Sequence, residues 1–374
     1  MKIDIITLHR VRNYGSSLQT LATQTYLEQK GCTAEIIDYY PERYTSFGLL
    51  KRLKNKSEKL RKNPILLFGA RCVISVSYIK KKLVFDSFLK RYIKLTPKTY
   101  RTEAELLADV PKADAYCTGS DQVWNSYWNE GVDRPLYLSF VPESAFRFSY
   151  AASIGTSKLS EEEKAEVKPL ISKYQYISVR ENNGVDILED AGIPGAVQML
   201  DPTLLFPSSV WNKYTSDKFS KKKYVVTYNL HHDKKIDEYA GRIAAEKNLK
   251  VYNISYNLHD IIRKGTLKWC PTVEEYLGLI RDAQYVVTDS FHATVFSLLF
   301  HTDFMVIYPE KASSRLRSIL SLVGLEQRGC DDMPSPALAD EAIDFSQTDA
   351  VLAQERTKTE SYMDVVIRAA EINK

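Results

Sequence analysis

Cysteine is scarce in this sequence, and none of it is paired. Cys32, Cys72, Cys117, Cys270 and Cys330 make five thiols, an odd number spread along the chain with no CxxC. That argues against a disulfide framework and a zinc cluster, and it fits reduced thiols in a cytosolic protein. Long apolar runs are also missing. The longest, from Ile65 to Ile79, contains Arg71 and is too short to cross a bilayer. The opening MKIDIITLHR carries Asp4 and no extended apolar region, so it reads as a first strand rather than a signal peptide. The loop after that strand is not GxGxxG, which removes the dinucleotide fingerprint. No repeat of solenoid period and no low-complexity tract occurs. A net charge of +4 over 374 residues is too small to imply nucleic acid.

What remains is an ordinary globular composition, 44% hydrophobic and 26% charged, in a chain long enough for two domains. Strand and helix patterns alternate in both halves. KIDIITL, a polar loop, a helix around Leu18, Leu21 and Tyr26, and then TAEIIDY form a β-loop-α-β unit, which implies a parallel sheet. After Pro207, Ser208 and Ser209 the pattern restarts with KKKYVVTYNL, LKVYNISYN, QYVVTDS and DFMVIYP, each followed by a helical pattern. The expected fold is α/β, with two Rossmann-like domains facing across a cleft. The first spans 1–207 and the second 208–374, with the last helix packing back on the first domain. Residues 43–95 break the alternation. Lysines and arginines crowd Lys51 to Lys62 and Lys80 to Lys82, which reads as a pair of solvated surface helices or as an insert resting on an anionic membrane surface or a pyrophosphate-linked lipid.

Ligands of open α/β sheets bind at the carboxyl ends of the strands, so the strand-to-helix corners are the places to look. In VVTDSFHATVFSLLF, Ser290 is a suitable N-cap and His292 falls in the first helical turn. A helix N-terminus attracts anions, and a histidine there suits proton transfer. His292 also shares a face with apolar residues, so a hydrogen-bonded core histidine fits the same pattern. In HRVRNYGSSLQ, Gly15 permits a tight backbone. TGSDQVWN offers carboxylate, amide and indole together, a set suited to sugar hydroxyls and a pyranose face, though a turn with a core tryptophan fits equally. Arg180 in SVREN, and Arg315 with Arg317 in SSRLRSIL, are fork-shaped donors for carboxylate or phosphate, though each taken alone fits a surface salt bridge equally.

Taken together, HRVRNYGSSLQ, TGSDQVWN, SVREN with DPTLLF, and VTDSFHATVFSLLF with SSRLRSIL resemble the polysaccharide pyruvyl transferase family over nearly the whole chain. The resemblance implies a GT-B-like glycosyltransferase architecture and transfer of pyruvate from phosphoenolpyruvate onto two sugar hydroxyls, with no metal or organic cofactor. It implies that His292 is the catalytic histidine and Arg180 a donor-binding arginine. Characterised members commonly carry arginine and leucine before the histidine, where this chain has Ser290 and Phe291, and Arg315 is the residue expected to compensate. Asp289 and Asp121 are assigned to orient the histidine or the acceptor. Ser290, Phe291 and Arg315 join Arg180 on the donor side, and Asn13, Tyr14, Gly15, Ser120, Gln122 and Trp124 form the acceptor side. The expected partners are phosphoenolpyruvate and a glycan or lipid-linked oligosaccharide, with peripheral membrane contact, no nucleic acid, and a cytoplasmic location. The other readings are a nucleotide-sugar-dependent glycosyltransferase and a non-catalytic glycan-binding relative.

Overall fold

The computed structural model describes residues 1–45, 64–310 and 313–373. Its first sheet is parallel throughout, in the order β3-β2-β1-β4-β5, with β1 Lys2–Ile6, β2 Thr33–Tyr39, β3 Leu95–Tyr100, β4 Ala115–Thr118 and β5 Phe146–Ser149. The central strand β1 is buried at Ile3, Ile5 and Ile6, as expected of a strand covered on both faces. Helix α1, Tyr14–Gln29, follows it. Asn13 caps α1 by accepting from the Gly15 amide, and Gly31, at φ +83°, turns the chain beyond its end. A two-stranded parallel extension, β6 Ser178–Val179 and β7 Val197–Gln198, continues this sheet through bridges from Phe148 to Tyr176 and from Ala152 to Val179.

The second sheet repeats the plan. Its order is β10-β9-β8-β11-β12-β13, again parallel, from β8 Tyr224–Tyr228, β9 Lys250–Ser255, β10 Thr266–Trp269, β11 Tyr285–Thr288, β12 Phe304–Ile307 and β13 Gly329–Cys330. In both sheets the first strand is central and the order reverses beside it, the crevice where doubly wound sheets take ligands. The edge strands β10 and β13, of four and two residues, carry too few alternating residues to stand out in the sequence.

Between the strands run α2 Pro64–Tyr92, α3 Glu103–Ala108, the single turn α4 Ser126–Asn129, α5 Glu161–Ile171, α6 Asn182–Asp190, the turn α7 Ser208–Trp211, α8 Lys234–Glu246, α9 Val273–Arg281, α10 Phe291–Phe300 and α11 Ser314–Leu322. The last helix, α12 Phe345–Ile372, returns to the first domain. Arg356 Nε donates to the Leu204 carbonyl at 2.7 Å, and Lys30 pairs with Glu360 and Asp364 at 2.9 and 2.8 Å.

The described part of the basic insert is not simply a solvated helix. Residues 46–63 lie outside the described residues. Helix α2 is one 29-residue helix whose C-terminal half is core, with Phe85, Phe88 and Leu89 buried. It bridges the two domains, because Asp86 pairs with Arg12 at 3.0 Å while Ser77 Oγ accepts from the Leu258 amide at 3.1 Å. One apolar cluster runs through both sheets, from Ile3 and Leu18 to Val226 and Phe296. Among the described residues no helix is long and apolar enough to cross a membrane.

Candidate functional site

The site is built where α1 of the first domain meets α10 of the second. Ser290 caps α10 by accepting from the Ala293 amide, and its own amide donates to Thr288 Oγ1 at 3.0 Å. Every residue from Phe291 to Leu299 is buried, so the first turn of α10 is clamped on all sides. His292 therefore has one place to put its ring, against the backbone of α1. A Cβ on Gly15 would lie 2.0 Å from His292 Nδ1, so only glycine fits beneath the imidazole.

His292 Nε2 is buried without a hydrogen-bond partner and lies 3.6 Å from Asp201 Oδ2. That is an ion-pair distance, too long for a hydrogen bond. Asp201 is held by the Thr203 amide at 3.0 Å, the Thr203 hydroxyl at 2.6 Å and Arg180 Nη1 at 2.9 Å. Burial pushes the Asp201 carboxyl up, but His292, Arg180 and Thr203 outweigh it and hold the group well below the usual carboxylate range.

Arg180 sits beside β6 with both faces of its fork in use. Nε donates to Glu181 Oε1 at 2.9 Å, Nη1 donates to Asp201, and the guanidinium carbon stands 4.4 Å over the Phe291 ring. Burial alone would lower its pKa, yet Glu181, Asp201 and Asp121 raise it, so the charge is permanent. Arg180 Nη2 has no partner. From the other domain Arg315, at the start of α11, faces the same space. Burial, and then the like charge of Arg180, push its guanidinium below the ordinary value against the pull of Glu181, Asp121 and Asp201. Its Nε also has no partner. Arg180, Glu181, Asp201, Phe291, Arg315 and Ile319 are among the residues lining a small cleft that is partly open to solvent. Two guanidiniums with spare donors thus line one cleft, and Asp201 links it to the imidazole of His292, an arrangement that suits a small anion near a proton-transfer group.

Several sequence-expected residues take other positions. Asp289 does not face His292: its carboxylate accepts from the Leu230 and His231 amides at 2.7 and 2.9 Å and meets His231 Nδ1 at 2.7 Å, which fixes the β8 corner. Asp201 is the carboxylate beside the histidine instead. Tyr14 is unavailable to an acceptor, because it is fully buried between the domains, stacked on Tyr276 at 4.1 Å, with its hydroxyl donating to the Pro271 carbonyl at 2.8 Å. Trp124 is core as well, stacked on Tyr137 with its face covered, and the Ser120 hydroxyl donates to the Ala151 carbonyl at 2.8 Å. Asn13 is occupied as the cap of α1. Gln122 is half-buried and accepts from Asn125 at 2.7 Å. Asp121, at φ +74°, accepts from Ser16 Oγ at 2.5 Å and joins the corners after β1 and β4, both in the first domain.

The sequence assigns no role to Glu181 or to Asp201, the carboxylate beside His292, although the quoted SVREN and DPTLLF stretches contain or begin with them. It likewise assigns none to Tyr127 and Trp128, whose rings are 73% and 52% exposed on α4, at the carboxyl rim of the first sheet. Among the described residues no group of three or more His, Cys, Asp or Glu is placed to hold a metal ion.

The family model for polysaccharide pyruvyl transferase matches residues 13–311. No curated protein matches. Among solved structures, the chain is similar to a proposed UDP-N-acetylglucosamine 2-epimerase from Listeria monocytogenes, at 9% identity and a TM-score of 0.52 over 95% of this chain and 90% of that one. It is also similar to the UDP-GlcNAc 2-epimerase from Neisseria meningitidis bound to UDP-GlcNAc, at 10% identity and 0.45 over 99% and 94%. A third is UGT89C1 of Arabidopsis thaliana, at 12% and 0.45 over 100% and 99%. At 9% identity the first likeness concerns the fold alone, and it agrees with the two Rossmann-like domains described above.

Proposed function

The chain belongs to the polysaccharide pyruvyl transferase family, and from that premise we propose that it carries pyruvate from phosphoenolpyruvate to two hydroxyls of a glycan. Membership makes it a transferase of polysaccharide biosynthesis. The donor, the ketal product and the acceptor, a surface or capsular polysaccharide or its lipid-linked precursor, are our reading. One observation carries it: two arginines from opposite domains, each with an unpartnered N–H, line one cleft whose Asp201 lies 3.6 Å from His292 Nε2. The charge of Arg180 is balanced by Glu181 and Asp201, so Arg315 is the cation left to a ligand.

In this reading the donor's phosphate and carboxylate bridge Arg180 Nη2 and Arg315. Phe291, under the Arg180 guanidinium, holds that fork flat. His292 delivers a proton to the methylene carbon of the donor, and the central carbon becomes electrophilic. A sugar hydroxyl adds there and gives its proton back to His292. The second hydroxyl then displaces phosphate and closes the ketal, its proton leaving with the phosphate. Asp201 steadies the imidazolium between these steps, and the chain's own groups suffice for them. The acceptor ring lies on Tyr127 and Trp128 at the rim of the first sheet. The four cysteines described, all free thiols, fit a cytoplasmic location.

Calorimetry with phosphoenolpyruvate on wild type, Arg180→Ala and Arg315→Ala tests the donor. Binding by wild type that is lost in both variants is expected. Wild type that binds UDP-sugars and ignores phosphoenolpyruvate overturns the reading in favour of nucleotide-sugar transfer. Glycan binding with no anionic donor at all would place the chain among non-catalytic relatives.

A further inference from the structure

We propose that the outer face of α2, together with the loop after β9, is a docking surface for an anionic phospholipid membrane. Twelve large apolar side chains are exposed among the described residues, and half of them are here: Val73, Val76, Ile79 and Leu83 on α2, and Ile261 and Ile262 on the loop. Their exposure is high where it counts, 65% at Leu83 and 88% at Ile262. The α2 residues recur at spacings of three and four, which places them on one side of the helix. The loop is fastened to the same helix through the Leu258 amide and Ser77 Oγ. The two sets therefore form one surface, not scattered exposed residues of the kind every protein carries.

The charge around this surface names the occupant. Within 73–83 and 256–268 the cations are Lys80, Lys81, Lys82, Arg263, Lys264 and Lys268. The single carboxylate within those stretches is Asp260, buried and engaged by Ser255; from outside them Asp86 pairs with Lys82 at 3.2 Å and Asp237 with Arg263, so Lys80, Lys81, Lys264 and Lys268 are the cations with no carboxylate partner among the described residues. Lys80 and Lys81 lie against the rings of Trp269 and Tyr256. Exposed aliphatic side chains ringed by lysines match an acidic headgroup layer with acyl chains beneath it. A second protein copy would instead bring these lysines against the same lysines, since a two-fold contact is made by one patch on both sides. The surface also bears on the site, because α2 grips Arg12 through Asp86 and Tyr78, next to the loop that packs under His292. A lipid-seated α2 would present the cleft to a membrane-borne acceptor, but the docking itself stands whatever donor the cleft takes.

The test is co-sedimentation of the full chain with two vesicles, pure phosphatidylcholine and equal parts phosphatidylcholine and phosphatidylglycerol. Wild type is expected to pellet with the anionic vesicle only, and to be released by high salt. Ile261→Asp/Ile262→Asp and Leu83→Glu should each weaken that binding at least tenfold. Leu107→Asp, an exposed leucine on α3, should bind like wild type, and all variants should keep the wild-type circular dichroism spectrum. No pelleting of wild type with either vesicle overturns the proposal. So does pelleting that survives both patch variants, or a wild-type dimer in sedimentation that Ile261→Asp/Ile262→Asp turns into monomer.

Discussion

The two sheets have the same strand order, and each sends its central strand into a helix that contains a glycine. In the second domain Gly241 of α8 is exposed and nothing lies within 4 Å of where a Cβ would be. In the first domain Gly15 of α1 has the His292 ring in that place. The same element is a plain support in one half and the floor of the site in the other. Alanine at both positions breaks the comparison open. Gly241→Ala should stabilise by about 0.5–1 kcal/mol, because alanine loses less freedom in a helix. Gly15→Ala has that same benefit but must push the imidazole aside. A displacement near 1 Å at a reacting group costs roughly 100-fold in rate, so we expect a kcat loss of that order in a folded protein with a wild-type circular dichroism spectrum. A Gly15→Ala enzyme with wild-type kcat would show that the position of His292 over α1 has no bearing on turnover.

A smaller contrast lies within one loop. Trp124 and Trp128 are four residues apart; the first is 1% exposed and the second 52%. Val123 and Trp124 point into a cluster with Leu136, Tyr137 and Tyr174, while α4, capped by Asn125, turns the next indole outward. Removing an exposed stacking ring should cost about 0.5–1.5 kcal/mol of sugar contact. Trp128→Ala should therefore raise the acceptor KM roughly two- to tenfold and leave the KM for the donor alone. Trp124→Phe should lower the melting temperature and leave the acceptor KM unchanged. Equal KM effects from the two substitutions would remove the distinction between platform and core.

That pair also shows how far the residues alone could be read. The doubly wound plan was legible because parallel strands covered on both faces are nearly continuous apolar runs, as at β8 and β11. The corner at His292 was legible because Ser290 is a cap residue at the end of such a run. The fate of Trp124 was not, since it depends on Tyr137 and Tyr174, which are distant in sequence. Nor can sequence separate Arg180 from Arg147, both buried and both beside strands. Arg147 spends its Nη atoms on the carbonyls of Val141, Pro142, Glu143 and Ala145, whereas Arg180 faces two carboxylates and lines the cleft. Asp201 pairs with His292 across 91 positions in the numbering, and nothing local marks that partnership.

The central strands differ in one further way that reaches stability more than catalysis. In β8 the interior polar residue is Thr227, satisfied by Asn253 at 2.8 Å. In β1 it is Asp4, fully buried, with no hydrogen bond to either oxygen and only Lys2 at 3.3 Å for company. Burial raises the Asp4 carboxyl to about 6, against the pull of Lys2 and with Glu35 adding to it. An unfolded aspartate titrates near about 4. Between these two values the folded chain holds the proton and the unfolded chain does not, so this group's contribution falls as pH rises and its full cost is present above pH 6. The first domain should thus melt a few degrees higher at pH 5 than at pH 7.5, roughly 2–4 °C for each kcal/mol recovered, while the second domain, with no such group on β8, should not gain from this source. Asp4→Asn removes the titration and should flatten the difference. If the domain transitions move together with pH in both wild type and Asp4→Asn, then the buried carboxylate is not what separates the stability of the two sheets.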